Sequence, residues 1–220
     1  MVSAAPPRSL VTYIAPAATF GVFTWVEGLV SPKWYPVAYL VKAIAVTASL
    51  YVCRSTLADI VPSKRWLVPS VVLGLIVFAG WVGIEETISY PHLGSREAYD
   101  PALANATISE PLFLAIRLYG LVLMVPVMEE LLWRSFVLRY ATQSDFLAIP
   151  IGTFSMFALA LTVAVSGLSH PEWVVGALAN LAYCLWLKRT RALLTTVVAH
   201  ATTNAALGAY VLATHAWKYW

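Results

Sequence analysis

The sequence predicts an all-α fold, a polytopic transmembrane bundle of about seven helices. Three observations carry this. The 220 residues hold only 14 Lys+Arg and 11 Asp+Glu and are 60% hydrophobic, whereas soluble domains are about 25% charged and 45–50% apolar. There is too little polar surface to coat a water-facing particle, and the same figures exclude intrinsic disorder. Seven runs approach the ~20 apolar residues that a helical span needs. Finally, nine Trp and eleven Tyr suit a chain crossing two membrane–water interfaces, where amphipathic rings settle.

In chain order the predicted spans are residues 10–30, 37–53, 66–84, 111–134, 152–168, 173–187 and 193–217. The first follows one arginine and two prolines and has no clear small-residue cleavage site, so it reads as an uncleaved span. Connectors carry turn and charge punctuation: Ser31-Pro32-Lys33, Pro62-Ser63-Lys64-Arg65, Tyr90-Pro91-His92 and Lys188-Arg189-Thr190-Arg191. The runs are continuous rather than alternating, which argues against a β-barrel. With no repeat or low-complexity tract, residues 1–220 read as a single integral membrane domain. Cys53 and Cys184 stand alone in apolar stretches, so neither a disulfide framework nor a structural zinc site is expected.

Lys/Arg bias sets orientation. With the N-terminus in the cytoplasm, Arg8, Arg54, Lys64, Arg65, Arg134, Arg139, Lys188, Arg189 and Arg191 fall inside, and Lys33, Arg96 and Lys218 outside. Nine against three favours seven spans, N-in and C-out.

Ionisable groups within spans are costly and mark function or pairing. Glu27 and Lys42 lie at similar depth and are expected to pair. Arg117 is expected to find a structural partner or to snorkel, and His92 and His215 fall in or near connectors. The fourth span differs, because Met128-Glu129-Glu130-Leu131-Leu132-Trp133-Arg134 puts adjacent carboxylates in an apolar helix. Glu130 and Arg134, at i,i+4, share a face. Glu129 points about 100° away, so one carboxylate is compensated and the other is left as a general-base candidate. A solvated Glu-Glu-Arg helix end is the plain alternative. Downstream, His170 closes the fifth span, and His200 and Asn204 sit one turn apart in the seventh. Such a pair can hold a developing oxyanion.

The order Glu129-Glu130-x-x-x-Arg134, His170, His200-x-x-x-Asn204 resembles the CAAX protease and bacteriocin-processing (CPBP) family of intramembrane proteases, which contains the type II CAAX prenyl endopeptidases. The resemblance covers about residues 111–212. It is closest to the bacterial CAAX prenyl protease-related proteins associated with exosortase systems, on Leu168-Ser169-His170-Pro171-Glu172-Trp173, Tyr183 and Ala199-His200-Ala201-Thr202-Thr203-Asn204. One departure is Ser166, where the family usually has Phe. The resemblance implies that Glu129 and His170 activate a water, that His200 and Asn204 stabilise the oxyanion, and that Glu130 and Arg134 support the site.

No cofactor is expected. The alternative is a zinc held by Glu129, His170 and His200, since two His and one Glu can bind zinc and leave a water position. The expected partners are the lipid bilayer and a membrane-anchored protein or peptide substrate, with no nucleic acid. A non-catalytic membrane protein of the same fold, such as a proton-coupled carrier or an immunity or protein-sorting partner, is the competing reading. Helix rise tests convergence. His200 and Asn204 lie ~10 and ~16 Å from the inner end of their span, and Glu129 ~15 Å from Arg139. His170 fits only if residues 144–152 are interfacial and the fifth helix begins near Thr153, which puts it ~24 Å up.

Overall fold

The computed structural model describes residues 7–94 and 99–219, so Arg96 lies outside the described residues. The described chain is all helical. We number its rods α1 (Leu10–Glu27), α2 (Tyr35–Val52), α3 (Leu67–Thr87), α4 (Glu110–Tyr140), α5 (Met156–Leu168), α6 (Trp173–Thr190) and α7 (Leu193–Thr214).

Local chemistry starts and stops these rods. At α1, the Ser9 amide donates to Thr12 Oγ1 (2.9 Å) and the Thr12 hydroxyl donates to the Ser9 carbonyl (2.8 Å), tying the first turn as a cap does. Pro36 and Pro111 occupy the first turns of α2 and α4, where a missing N–H costs nothing. Ser155 caps α5 by accepting from the Ala158 amide at 3.1 Å. The helix therefore begins at Met156 rather than near Thr153. The preceding residues 144–152 hold one short 3-10 turn, Phe146–Ala148, and no α-helix.

Among the described residues four helical stretches, Leu10–Glu27, Pro32–Val52, Lys64–Thr87 and Glu110–Tyr140, are long and apolar enough to cross a membrane. The expected bundle of about seven helices is present as these seven rods. At 13 residues, α5 is ~20 Å long, short of the ~30 Å hydrocarbon core. Helices α6 and α7 have the length, at 18 and 22 residues, but carry Asn180, His200, Thr203 and other polar groups that are buried among neighbouring helices. The chain is an integral membrane protein whose most polar helices line its interior.

Helices α1 and α2 pack along their length, as do α5 with α6 and α3 with α7. The α3–α7 contact is close because position 74 is glycine. A Cβ there would collide with the Ala199 carbonyl oxygen and lie 2.7 Å from Thr202 Cβ. Thr203 Oγ1 donates to the Gly74 carbonyl at 2.9 Å.

Buried ions tie the first two helices to α4. Lys42 pairs with Glu27, as expected, and its ammonium also lies over the Phe20 and Tyr39 rings. Arg117 finds aromatic neighbours on α2: Nη1 donates to the Tyr35 hydroxyl at 2.6 Å, and the guanidinium lies 4.7 Å from the Tyr39 ring. At the other end, buried Asp59 accepts from Arg8, Tyr13, Ser135 and Arg139. That one carboxylate fastens the start of α1 to the end of α4.

Candidate active site

Helix α4 is not a regular α-helix. It contains π-helical stretches at Gly120–Met124 and Glu130–Val137, a distortion that recurs at functional sites. Pro126 explains part of it. In π register the amide of residue 126 would donate to Leu121, but proline has no N–H. Asn204 Nδ2, from α7, donates to the Leu121 carbonyl at 2.9 Å. An asparagine read from sequence as an oxyanion donor is also the substitute donor for a proline across the helix interface. One N–H of its amide remains for other partners.

The second π stretch opens on the carboxylate pair. Glu130 is fully buried, with Oε1 3.2 Å from Arg134 Nη1 and 2.9 Å from His200 Nδ1. A carboxylate paired with arginine only accepts, so His200 Nδ1 carries the proton and its Nε2 faces away from Glu130. Arg134, also fully buried, donates from Nη2 to Asn180 Oδ1 at 2.6 Å and lies 5.2 Å from the Tyr183 ring. Tyr183 stacks on His200, with centroids 5.3 Å apart and 22° between planes, and its hydroxyl donates to Thr203 Oγ1 at 2.7 Å. Asn180 anchors itself through Nδ2 to the Gly176 carbonyl at 2.8 Å.

Glu129 is half-buried and makes no hydrogen bond or ion pair with the described residues. The expected asymmetry is therefore present: Glu130 is compensated and Glu129 is not.

His170 lies in the turn between α5 and α6. Its Nδ1 is 3.0 Å from the Ser166 carbonyl and 3.3 Å from Ser169 Oγ. A carbonyl only accepts, so Nδ1 holds the proton and Nε2 is left as the basic nitrogen. The ring meets Trp81 edge-on, with centroids 5.8 Å apart. Ser166 is fully buried and donates to the Thr162 carbonyl at 2.6 Å. It is small and internally satisfied, and its backbone oxygen orients His170. The segment after α3 secures this turn: Leu93 N donates to the Pro171 carbonyl and Trp173 Nε1 to the Pro91 carbonyl, both at 2.9 Å.

Depth can be followed along the helices. On α7, His200 meets Glu130 and Asn204 meets Leu121, so α4 and α7 are antiparallel. Tyr183 meets Thr203, and Thr190 meets Thr195, so α6 and α7 are antiparallel and α4 and α6 run the same way. Glu130 is one turn from Arg134, and Gly176 is one turn from Arg134's partner Asn180, about 6 Å in each case. A Cβ on Gly176 would lie 3.3 Å from His170 Cβ, which brings His170 to the level of the carboxylate pair. The shortness of α5 makes this possible, because a full span would have carried His170 to the far surface.

Hydrogen bonds and ion pairs thus join Glu130, Arg134 and His200 directly. Glu129 adjoins Glu130 in the chain, His170 is reached through Gly176 and Asn204 through Leu121, and no described bond joins these three to one another. Among the described residues no three His, Cys, Asp or Glu side chains are gathered as a metal-binding group. The three suggested zinc ligands, Glu129, His170 and His200, therefore do not form such a cluster. Asn180 was missed from sequence, although a lone amide in an apolar helix is itself a signal for interhelical bonding.

Residues 111–206 match the family model described as Type II CAAX prenyl endopeptidase Rce1-like. Neither a curated protein nor a solved structure matches the chain.

Proposed function

We propose that this chain, whose residues 111–206 match the Rce1-like family model, is an intramembrane endopeptidase using its own side chains to activate water. The observation that carries this is the division of labour between adjacent carboxylates. Glu130 is committed to Arg134 and His200, while Glu129 has a place beside them and no partner of its own among the described residues.

In this reading Glu129 and the unprotonated Nε2 of His170 accept the proton of a water placed between them. The water oxygen attacks the scissile carbonyl carbon. The resulting oxyanion accepts from the second amide hydrogen of Asn204 and from His200. With Nδ1–H given to Glu130, His200 can donate from Nε2 only as the imidazolium, an ion for which the Glu130 carboxylate is the counter-charge. Charge then balances, because two glutamates face one arginine and one imidazolium. Collapse of the intermediate breaks the C–N bond, and the proton held by Glu129 or His170 passes to the leaving amine. A preorganised oxyanion donor is worth about 10²–10³ in rate.

The substrate class is a membrane-anchored protein or peptide presented within the bilayer. The family name does not fix it as prenylated, since bacteria generally lack protein prenylation, and association with exosortase sorting belongs to the same open proposal. The test is cleavage of candidate membrane-anchored substrates by the purified protein. Glu129→Gln and His170→Ala should abolish turnover while leaving the protein folded, and full activity in either would overturn the assignment. Metal analysis, with activity measured after chelation, decides between this mechanism and the zinc alternative.

A further inference from the structure

The rim formed by the start of α3 and the end of α6 collects cations in a way that orientation alone does not require. Arg65, just before α3, places its guanidinium carbon 4.6 Å from the centre of the Trp66 ring, and Arg189, in the last turn of α6, places its own 4.8 Å from the same ring. Two helices therefore bring two guanidinium groups to one indole, less than about 10 Å apart and within a Debye length of one another. The platform is fixed. Trp186 packs edge-on against Trp66 with centroids 5.4 Å apart, and its Nε1 donates to the buried Ser70 hydroxyl at 3.0 Å.

Lys64 and Lys188 flank the pair, and neither they nor the two arginines are buried. Among the described residues none of the four forms an ion pair. Asp59 is held by Arg8 and Arg139, and Asp145 pairs with none of them. Like charges held together on an aromatic support, at a membrane interface marked by two tryptophans, are complementary to an anion whose oxygens can face both planar forks. We propose that this rim is a binding site for the phosphodiester headgroup of an anionic phospholipid, with Arg65 and Arg189 gripping the phosphate over Trp66 and Lys64 and Lys188 adding attraction. The occupant is a lipid rather than an acidic protein segment because both arginines sit at the ends of helices whose outer faces are exposed and apolar: Val68 and Val72 on α3 and Leu185 on α6. The acyl chains would lie along those faces while the headgroup stays at the rim.

The test uses the full-length protein in phosphatidylcholine vesicles containing a minority of phosphatidylglycerol. Lipid retained after extraction is measured by native mass spectrometry, for wild type, for Arg65→Gln/Arg189→Gln and for the charge-matched control Lys33→Gln/Lys218→Gln. The side chains exchanged lie at the surface, and unchanged sedimentation and thermal midpoint establish that each variant is folded. Wild type and control should retain phosphatidylglycerol preferentially. The Arg65/Arg189 variant should lose the preference, by roughly fivefold for each arginine removed, the worth of one basic side chain at an anionic surface. Absence of preference in wild type, its persistence in the Arg65/Arg189 variant, or equal loss in the control would each overturn the site. Displacement of the lipid by inorganic phosphate would assign the rim to a free anion instead. Capture of an acidic peptide in pure phosphatidylcholine, without any phosphatidylglycerol preference, would assign it to a protein partner. None of these outcomes depends on peptidase activity.

Discussion

The Glu130–Arg134 pair allows a quantitative test of how the site is built. Both side chains are fully buried and 3.2 Å apart at their nearest atoms. At a charge separation near 4 Å and an effective dielectric of about 20, their attraction is about 4 kcal/mol. Removing one partner strands the other charge in the membrane interior, at a cost of about 3–5 kcal/mol. Arg134→Met and Glu130→Gln should therefore each lower the thermal midpoint by roughly 10 °C, taking about 2–4 °C per kcal/mol for a chain of this size. The double variant is the informative one. A glutamine at position 130 can still accept from His200 Nδ1–H. A methionine at position 134 leaves Asn180 Oδ1 as the main unsatisfied group, costing about 1–3 kcal/mol. The double variant should thus be more stable than either single one. Midpoints measured in one detergent, with the thermodynamic cycle closed, check this. Additivity of the two single effects to within about 0.5 kcal/mol would show that the charges do not depend on one another, and the assignment of Glu130 as the compensated carboxylate would fall.

Two further outcomes follow from contacts elsewhere. Gly74→Ala should cost about 1–3 kcal/mol and depress cleavage, because the new methyl meets the Ala199 backbone and pushes away the helix that carries His200 and Asn204. Gly80→Ala, with no neighbour within 4 Å, should be neutral to within about 0.5 kcal/mol, and thermal midpoints of the two variants compare them directly. Burial, followed by its hydrogen bond to Glu85, pushes the Tyr90 phenol above its ordinary value. A raised folded value means the contribution is complete below the unfolded phenol value of about 10 and is lost as pH rises toward the folded one. Stability should therefore fall on the alkaline side, and Tyr90→Phe should flatten that part of the midpoint–pH profile; an unchanged slope would contradict the coupling.

The helices were legible because their signals are local. Apolar runs located the rods, and prolines and serines marked several of their starts. The i,i+4 spacing of Glu130 and Arg134 foretold a pair that is present, and similar depth foretold Glu27 with Lys42. Other features stayed hidden for specific reasons. Span counting by length treated α5 as a full crossing, because hydrophobicity does not say that residues 141–155 stay outside the α-helix and leave only 13 residues for the rod. The partner of Arg117 was not specified by its own helix, because the aromatic rings that reach it come from α2. Apolar length also failed to distinguish α6 and α7, whose polar residues are covered by neighbours rather than by lipid.

The sequence by itself determined the solvent, the helical class and the residue types available for chemistry, since composition and helical periodicity are properties of the chain alone. Tertiary structure decided which carboxylate is occupied, which nitrogen of His200 carries the proton, and that Asn204 donates to the Leu121 carbonyl. Those depend on contacts across 70 residues between His200 and Glu130 and 83 between Asn204 and Leu121. Such separations are bridged only when helices pack, because a partner's identity is set by relative rotation and depth, and neither is encoded in the spacing within one helix.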